Sequence, residues 1–397
     1  MTTEKSGSIW TRAFAFLCLA QFMGYAQHFM LAPVLPLYVT DLGGSPFMVG
    51  LVLAAFAVTS VLIRPLVGHW ADRWSESGVL ISGLLFQGAS MFLCLIPVVE
   101  AVMLANGLRG IGWAGLNTGG YSLLALTAPQ SRRGEASGLY SGVQSSATIL
   151  FPAVALWLLA TPFGGFEIVF VVAALLSFIG AGAGWIMSHD SPHALRDTKF
   201  EASPPWWREV FHFVEPEILL PSVLLLWLNL SLPSMTNFIV LYARELGIER
   251  FGVYFVIIGV TSLLARPGLG RVSDMIGRPR SMAAGFTLQV LALALITAVS
   301  SLPGLAFAGV LYMLGNAIGS STTLAMAVER ADPRRRGKAM ATFSVAYPLS
   351  YGVGSLIIGS AVEVAGYLGM FLILTALQAG GLIFTIMNRQ GLRSTTN

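Results

Sequence analysis

The sequence predicts an all-α membrane protein: twelve transmembrane helices arranged as two pseudo-symmetric six-helix bundles. Three observations carry that expectation. Of the 397 residues, 55% are apolar and only 11% charged, with a mean hydropathy of +0.74, against roughly 25% charged in an average soluble domain. That many apolar side chains would overfill a surface facing water, whereas lipid is an adequate solvent for them. The second observation is twelve apolar stretches, each near the ~20 residues that a bilayer-crossing helix needs. The third is an internal repeat. Arg64-Pro65-x-x-Gly68-x-x-x-Asp72 returns 202 residues later as Arg266-Pro267-x-x-Gly270-x-x-x-Asp274. Arg132-Arg133-Gly134-Glu135-Ala136 is answered by Arg335-Arg336-Gly337-Lys338-Ala339 at an offset of 203. Two matches at nearly one spacing describe a unit written twice.

In chain order the spans are 12–38, 47–70, 79–98, 101–127, 137–160, 166–188, 217–242, 251–271, 281–301, 304–328, 339–362 and 367–388. Lys5 and Arg12 precede the first, which is too long for the apolar core of a cleaved signal and reads as a retained helix. Glycine and proline inside spans are tolerated because neighbouring helices satisfy the freed backbone groups. The connections are short except for one, and this divides the chain into an N-terminal bundle (1–188), a central loop (189–216) and a C-terminal bundle (217–397). Within the loop, Ser203-Pro204 offers a cap and a first-turn proline. Trp206, Trp207, Val210, Phe211 and Val214 then recur at helical spacing, the pattern of a short amphipathic helix lying on the inner leaflet.

Charge fixes the orientation. Of 23 Lys and Arg, only Arg244 and Arg250 fall on the far side and Arg109 falls mid-span, so twenty share the face that holds both termini. By the positive-inside rule that face is cytoplasmic, in a cell inner membrane. The net charge of +4 sits in short loops between apolar spans, which argues against nucleic acid as a partner. Cys18 and Cys94 lie inside spans and read as small buried hydrophobes with no disulfide or metal role. No phosphate loop, spaced nucleophile or ligand cluster is visible, so neither an ATP-driven pump nor an enzyme is expected, and no cofactor is implied.

With twelve spans, a 6 + 6 division and paired loop signatures, the chain resembles the major facilitator superfamily along essentially its whole length. The family's loop between helices 2 and 3 reads roughly Gly-x-x-x-Asp-Arg-x-Gly-Arg-Arg. Gly68, Asp72 and Arg73 match its first part, while Ser75-Glu76-Ser77-Gly78 lacks the later basic residues. The copy after helix 8 keeps Gly270, Asp274, Gly277, Arg278 and Arg280 but has Met275 where Arg is expected. The resemblance implies a cytoplasmic gate, made by Arg64, Gly68, Asp72 and Arg73 with Arg266, Gly270, Asp274 and Arg278, that breaks as the bundles rock. Gly68 and Gly270 are expected to let helix ends pack closely. Asp72 and Asp274 suit the positive end of a facing helix, a contact of roughly 0.3–2 kcal/mol.

Alternating access places a binding site near the bilayer midplane, where polar residues inside spans are the clue. The fourth span carries Asn106, Arg109, Trp113, Asn117 and Tyr121 on one face, and the tenth carries Tyr312, Asn316, Ser320 and Thr323. Gln21, Tyr25, Gln27 and His28 lie in the first span; Asn229, Thr236 and Asn237 lie in the seventh, around Pro233. The resemblance implies that spans 1, 4, 7 and 10 line the cavity. Candidate substrate contacts are therefore Arg109, Trp113, Asn117, Gln27, His28, Tyr25, Asn229, Asn237, Tyr312 and Asn316.

Arg109 has no mid-span carboxylate to pair with, and 109–115 resembles the family's helix-4 signature, whose Arg is linked to proton coupling. Three roles stay open: binding an anionic substrate group, tuning a proton relay, or bonding helix carbonyls. His28, with an ordinary pKa near 6.5, and Glu135 are the other candidate proton sites. Ile149-Leu150-Phe151-Pro152-Ala153-Val154 keeps the proline but not the glycines of the family's drug-antiporter motif, which disfavours a dedicated exporter of cationic drugs.

The expected function is secondary transport of one small organic molecule, anionic or amphipathic, by a monomer exchanging protons or another coupling ion, with export favoured. Uptake of an organic anion by symport, and a non-transporting sensor or lipid-handling protein on the same fold, are the alternatives.

Overall fold

A computed structural model describes residues 9–129, 132–162, 164–190, 215–331, 336–389 and 392. These hold twelve helical segments. In chain order, α1 is Arg12–Asp41, and α2 is Pro46–Leu62 continued by Arg64–Arg73. α3 is Glu76–Ser90 with a 3-10 turn at Met91–Leu95, and α4 is Val99–Thr127. α5 is Arg133–Leu159 and α6 is Phe166–Asp190. α7 is Pro216–Asn229, resumed after a π turn at Ser234–Phe238 by Ile239–Glu245. α8 is Gly252–Ile276, α9 is Arg278–Ile296 and α10 is Leu302–Arg330. The stretch Arg336–Met387 holds the last two, α11 (336–365) and α12 (367–387), parted at Gly366 with φ 68°. The amphipathic helix expected over 206–214 lies outside the described residues.

Local chemistry sets the ends. Thr11 Oγ1 accepts from Phe14 N at 3.1 Å to start α1, and Ser75 Oγ accepts from Gly78 N at 3.1 Å to start α3. Each supplies an acceptor for an amide that has no partner within its helix. The 44° bend within α2 follows Ile63. Pro65 explains it, having no N–H to give and a ring that collides with the carbonyl one turn back.

Glycines bring helices together at matched places in the two halves. A Cβ on Gly112 of α4 would stand 2.5 Å from Gly83 O of α3, and one on Gly315 of α10 would stand 2.6 Å from Gly285 O of α9. The halves meet along α2 against α11 and α5 against α8. The first seam is tight: a Cβ on Gly50 would lie 2.4 Å from Ser355 O.

Twelve alternating passes bring the start of α1 and the end of α12 to one end of the bundle, called here the terminal end. At the other, distal end, apolar residues of both halves form one core that includes Tyr38, Val49 and Phe170 with Tyr242, Phe255 and Phe371. At the terminal end the cores are separate. Phe14, Leu17, Leu80 and Tyr140 pack within the first half, and Ile218, Ala327 and Phe343 within the second. The halves thus share one apolar core distally, while at the terminal end each keeps its own. The distal seam is also fastened by polar contacts. Glu363 accepts from Ser45 Oγ at 2.7 Å and from Phe47 N at 3.0 Å, and Arg244 pairs with Asp41 at 2.5 Å.

Candidate functional site

The polar face of α4 points at α1 because small residues free its other sides to pack on α2 and α3. A Cβ on Gly110, for example, would stand 2.4 Å from Phe56 O. This brings Arg109, only 3% exposed, beside His28 and Phe56. Its Nη1 donates to Asn106 Oδ1. Its Nη2 donates to His28 Nδ1 at 3.2 Å and lies 3.5 Å from the His28 carbonyl oxygen. The guanidinium carbon stands 5.4 Å from the Phe56 ring centre, a cation–π arrangement. Nε has no partner. Asn106 is itself fixed, donating to Val52 O at 2.7 Å.

An arginine has no acceptor, so His28 Nδ1 must accept and the ring carries its proton on Nε2. The imidazole lies 4.2 Å from the Trp113 ring, nearly parallel at 26°, with Phe56 at 4.8 Å. Tyr25 continues this layer, 4.6 Å from Trp113, and donates to Asn117 Oδ1 at 2.9 Å.

From the second half, the π turn of α7 presents Asn237. Its Nδ2 donates to Ala32 O of α1 at 2.8 Å, and its Oδ1 accepts from Thr236 Oγ1 at 2.8 Å and from the Tyr351 hydroxyl. A cavity of about 20 Å³ lies between the halves, lined by His28, Ala32, Phe56, Asn106 and Arg109 with Asn237 and Tyr351. That volume suits one or two waters. An organic molecule needs the halves to move.

Of the ten expected substrate contacts, Arg109, His28 and Asn237 line this cavity. Tyr25, Trp113 and Asn117 form the layer beside it. Asn316 Nδ2 donates to Asn229 Oδ1 at 2.9 Å, so these two satisfy one another between α7 and α10. Gln27 is fully buried and does not line the cavity. Tyr312 shares the α4-like face only in the sequence pattern. It is fully buried, with its hydroxyl 2.8 Å from Ser231 Oγ, which also accepts from Gln378 Nε2 at 2.6 Å. Phe56 and Tyr351 line the cavity without having been singled out. Neither carried a sequence signal, unlike Asn237 of the same wall, which the sequence offered as a polar residue inside a span near Pro233.

Gate residues fare unevenly. Arg64 Nη1 reaches across the halves to Ser344 Oγ at 3.3 Å and Ser344 O at 3.4 Å. Among the described residues, nothing lies within 4 Å of where a Cβ on Gly68 would be, so no described neighbour requires glycine there in this conformation. Arg73 is exposed. Arg278 pairs with Glu329 at 2.5 Å inside the second half. Glu135 forms a two-pronged pair with Arg132 in the first turn of α5, at 2.7 and 2.9 Å. The side chains of Asp72, Arg266 and Asp274, and the surroundings of Gly270, lie outside the described set. Among the described residues, no group of His, Cys, Asp and Glu could hold a metal ion.

Known proteins share this architecture. A family model described as Major Facilitator Superfamily matches residues 17–274 and 219–395. The multidrug resistance protein MdtG of Yersinia enterocolitica is 26% identical over 307 residues, covering 74% of this chain and 72% of its own. The staphylopine export protein of Staphylococcus aureus is 22% identical over 391 residues, covering 96% of each. A crystal structure of the nucleoside transporter NupG superposes with a TM-score of 0.76 at 15% identity, covering 95% of this chain and 99% of that one.

Proposed function

This chain belongs to the major facilitator superfamily, and from that premise we propose that it is a secondary active transporter exporting a small anionic or amphipathic organic molecule by alternating access. The observation that carries the anionic part is Arg109. It is a buried cation held by neutral partners, its Nε has no partner, and the residue helps line a cavity that both halves build. A charge at a helix centre costs about 2.5–3.5 kcal/mol on insertion scales. A carboxylate or similar group on the substrate supplies the missing counter-charge, and a planar guanidinium can grip it with two parallel bonds. Export is supported by relatives named for multidrug resistance and staphylopine export.

With both termini in the cytoplasm, the distal end with the shared core faces outward and the end with separate cores faces inward. Arg64 and the two Arg-Pro-x-x-Gly-x-x-x-Asp elements then stand at the inner gate. The protein acts as a monomer in the inner membrane. Proton coupling rests on a second observation. His28 Nδ1 holds Arg109 through its only free lone pair, so a proton arriving there must displace the guanidinium. His28 is thereby a switch between proton and arginine. In proteoliposomes, wild-type protein should support substrate counterflow, and His28→Gln should keep counterflow while losing its pH dependence. Ligand binding without counterflow would make the protein a sensor, and an unchanged pH profile in His28→Gln would remove His28 from coupling.

A further inference from the structure

The distal end carries another repeat. Leu37-Tyr38-x-x-Asp41-Leu42-Gly43, which closes α1, matches Leu241-Tyr242-x-x-Glu245-Leu246-Gly247, which closes α7, and Phe47 and Phe251 follow in step. The offset here is 204, whereas 203 relates the His28–Arg109 contact to Ser231–Tyr312. The π turn at Ser234–Phe238 lies between these stretches, and a π turn takes up one extra residue. The geometry repeats as well. Gly43 and Gly247 both adopt positive φ, 83° and 73°. Tyr38 packs on Phe166 and Phe170, each at 4.9 Å, and Tyr242 packs on Tyr367 and Phe371 at 5.9 and 5.4 Å.

Asp41 and Glu245 therefore hold one repeat position, and Thr40 and Arg244 hold the position before it. Arg244 joins Asp41 at 2.5 Å across the halves. Near-equivalent positions of two related halves touch only beside the axis that relates them. In a two-fold arrangement each such contact has a mirror, i to j and j to i. The mirror of Arg244–Asp41 is Thr40–Glu245. At that place Thr40 Oγ1 donates to Pro36 O of its own helix at 2.8 Å. Glu245 is exposed and forms no salt bridge among the described residues.

We propose that Thr40, Asp41, Arg244 and Glu245 form an on-axis latch that sets how readily the distal end opens, and that this latch has places for two ion pairs but carries one. These are positioning residues, and none of them lines the cavity. Side-chain exposures of 56% for Arg244 and 37% for Asp41 make the existing pair weak. A pair of that kind shifts an open–closed equilibrium by about twofold to fivefold. A gate that must open in every turnover tolerates a fastener of that strength, whereas a second pair would bias it further toward closure.

The test reads conformation directly and does not depend on the substrate or on the direction of transport. Spin labels on Val98→Cys and Ser300→Cys, both exposed at the distal end, are placed in a Cys18→Ser/Cys94→Ser background. Pulsed dipolar spectroscopy in lipid nanodiscs then gives the distance distribution. Arg244→Ala should raise the long-distance population by about twofold to fivefold, and the swap Asp41→Arg with Arg244→Asp should return it to the starting value. Thr40→Arg should lower that population by a similar factor, and Thr40→Gln should not. An unchanged distribution in Thr40→Arg, or a swap that behaves like the single substitution, overturns the proposal.

Discussion

In the first half, α1 meets α4 through His28 and Arg109; 203 residues later, α7 meets α10 through Ser231 and Tyr312, hydroxyl to hydroxyl at 2.8 Å. The glycine contacts beside them are also kept, Gly83 on Gly112 and Gly285 on Gly315, with Gln87 and Gln289 next to each pair. The requirements of packing have been preserved in both copies, while the charge is present in only one. The scaffold places the same contact twice but keeps a cation and an aromatic-stacked imidazole on one side alone, and the role proposed for Arg109 rests on that asymmetry. The second half contributes neutral partners, Asn237 and Tyr351, across the cavity.

The largest way to break this comparison is to exchange charge at matched positions. Arg109→Lys should weaken substrate binding at least about tenfold, because charge-assisted hydrogen bonds contribute roughly 1.5–3 kcal/mol and a lysine ammonium cannot reproduce the fork. The matched Tyr312→Phe should leave affinity unchanged in the same titration. Equal losses in the two variants would erase the distinction between the halves.

A second test addresses what the halves share. Gly112→Ala and Gly315→Ala each place a methyl about 2.5–2.6 Å from a backbone oxygen that has little room to move. Both should lower stability by about 1–3 kcal/mol, as overpacking does, seen as a reduced Tm in detergent. Gly68→Ala, with open space around it, should leave Tm in place. The smallest loss is expected for Tyr312→Phe on stability, about 1 kcal/mol for one buried hydrogen bond. Ser231 keeps its bond from Gln378, which limits the loss. A loss several times larger would mean that this hydroxyl pair carries more than packing.

Much of the architecture was legible because apolar length and internal repetition are strong signals. The span expected at 137–160 is the helix Arg133–Leu159, and the one expected at 304–328 is Leu302–Arg330. Helix irregularities were less visible. The π turn after Pro233 and the single-residue junction at Gly366 depend on how neighbours pack. The same holds for the cavity wall. Phe56 and Tyr351 look like ordinary core aromatics until the rotation of α2 and α11 is known. Tyr312 sits in the right periodic pattern, but satisfying its hydroxyl against Ser231 turns it away. The repeat at 37–47 and 241–251 comes into register only once the extra residue in α7 is counted. The closeness expected at Gly68 was read from the glycine alone, and among the described residues nothing stands close to it in this conformation.

The central claim is that Arg109 recognises an anionic group. Its most direct test is a thermal-shift and binding screen of purified protein against small organic anions, cations and neutral molecules, run in parallel on Arg109→Lys. The account predicts that at least one anion stabilises the wild-type protein and binds it saturably, and that this response is lost in the variant. An anion that binds both proteins equally, or a response confined to cations and neutral molecules, would contradict it.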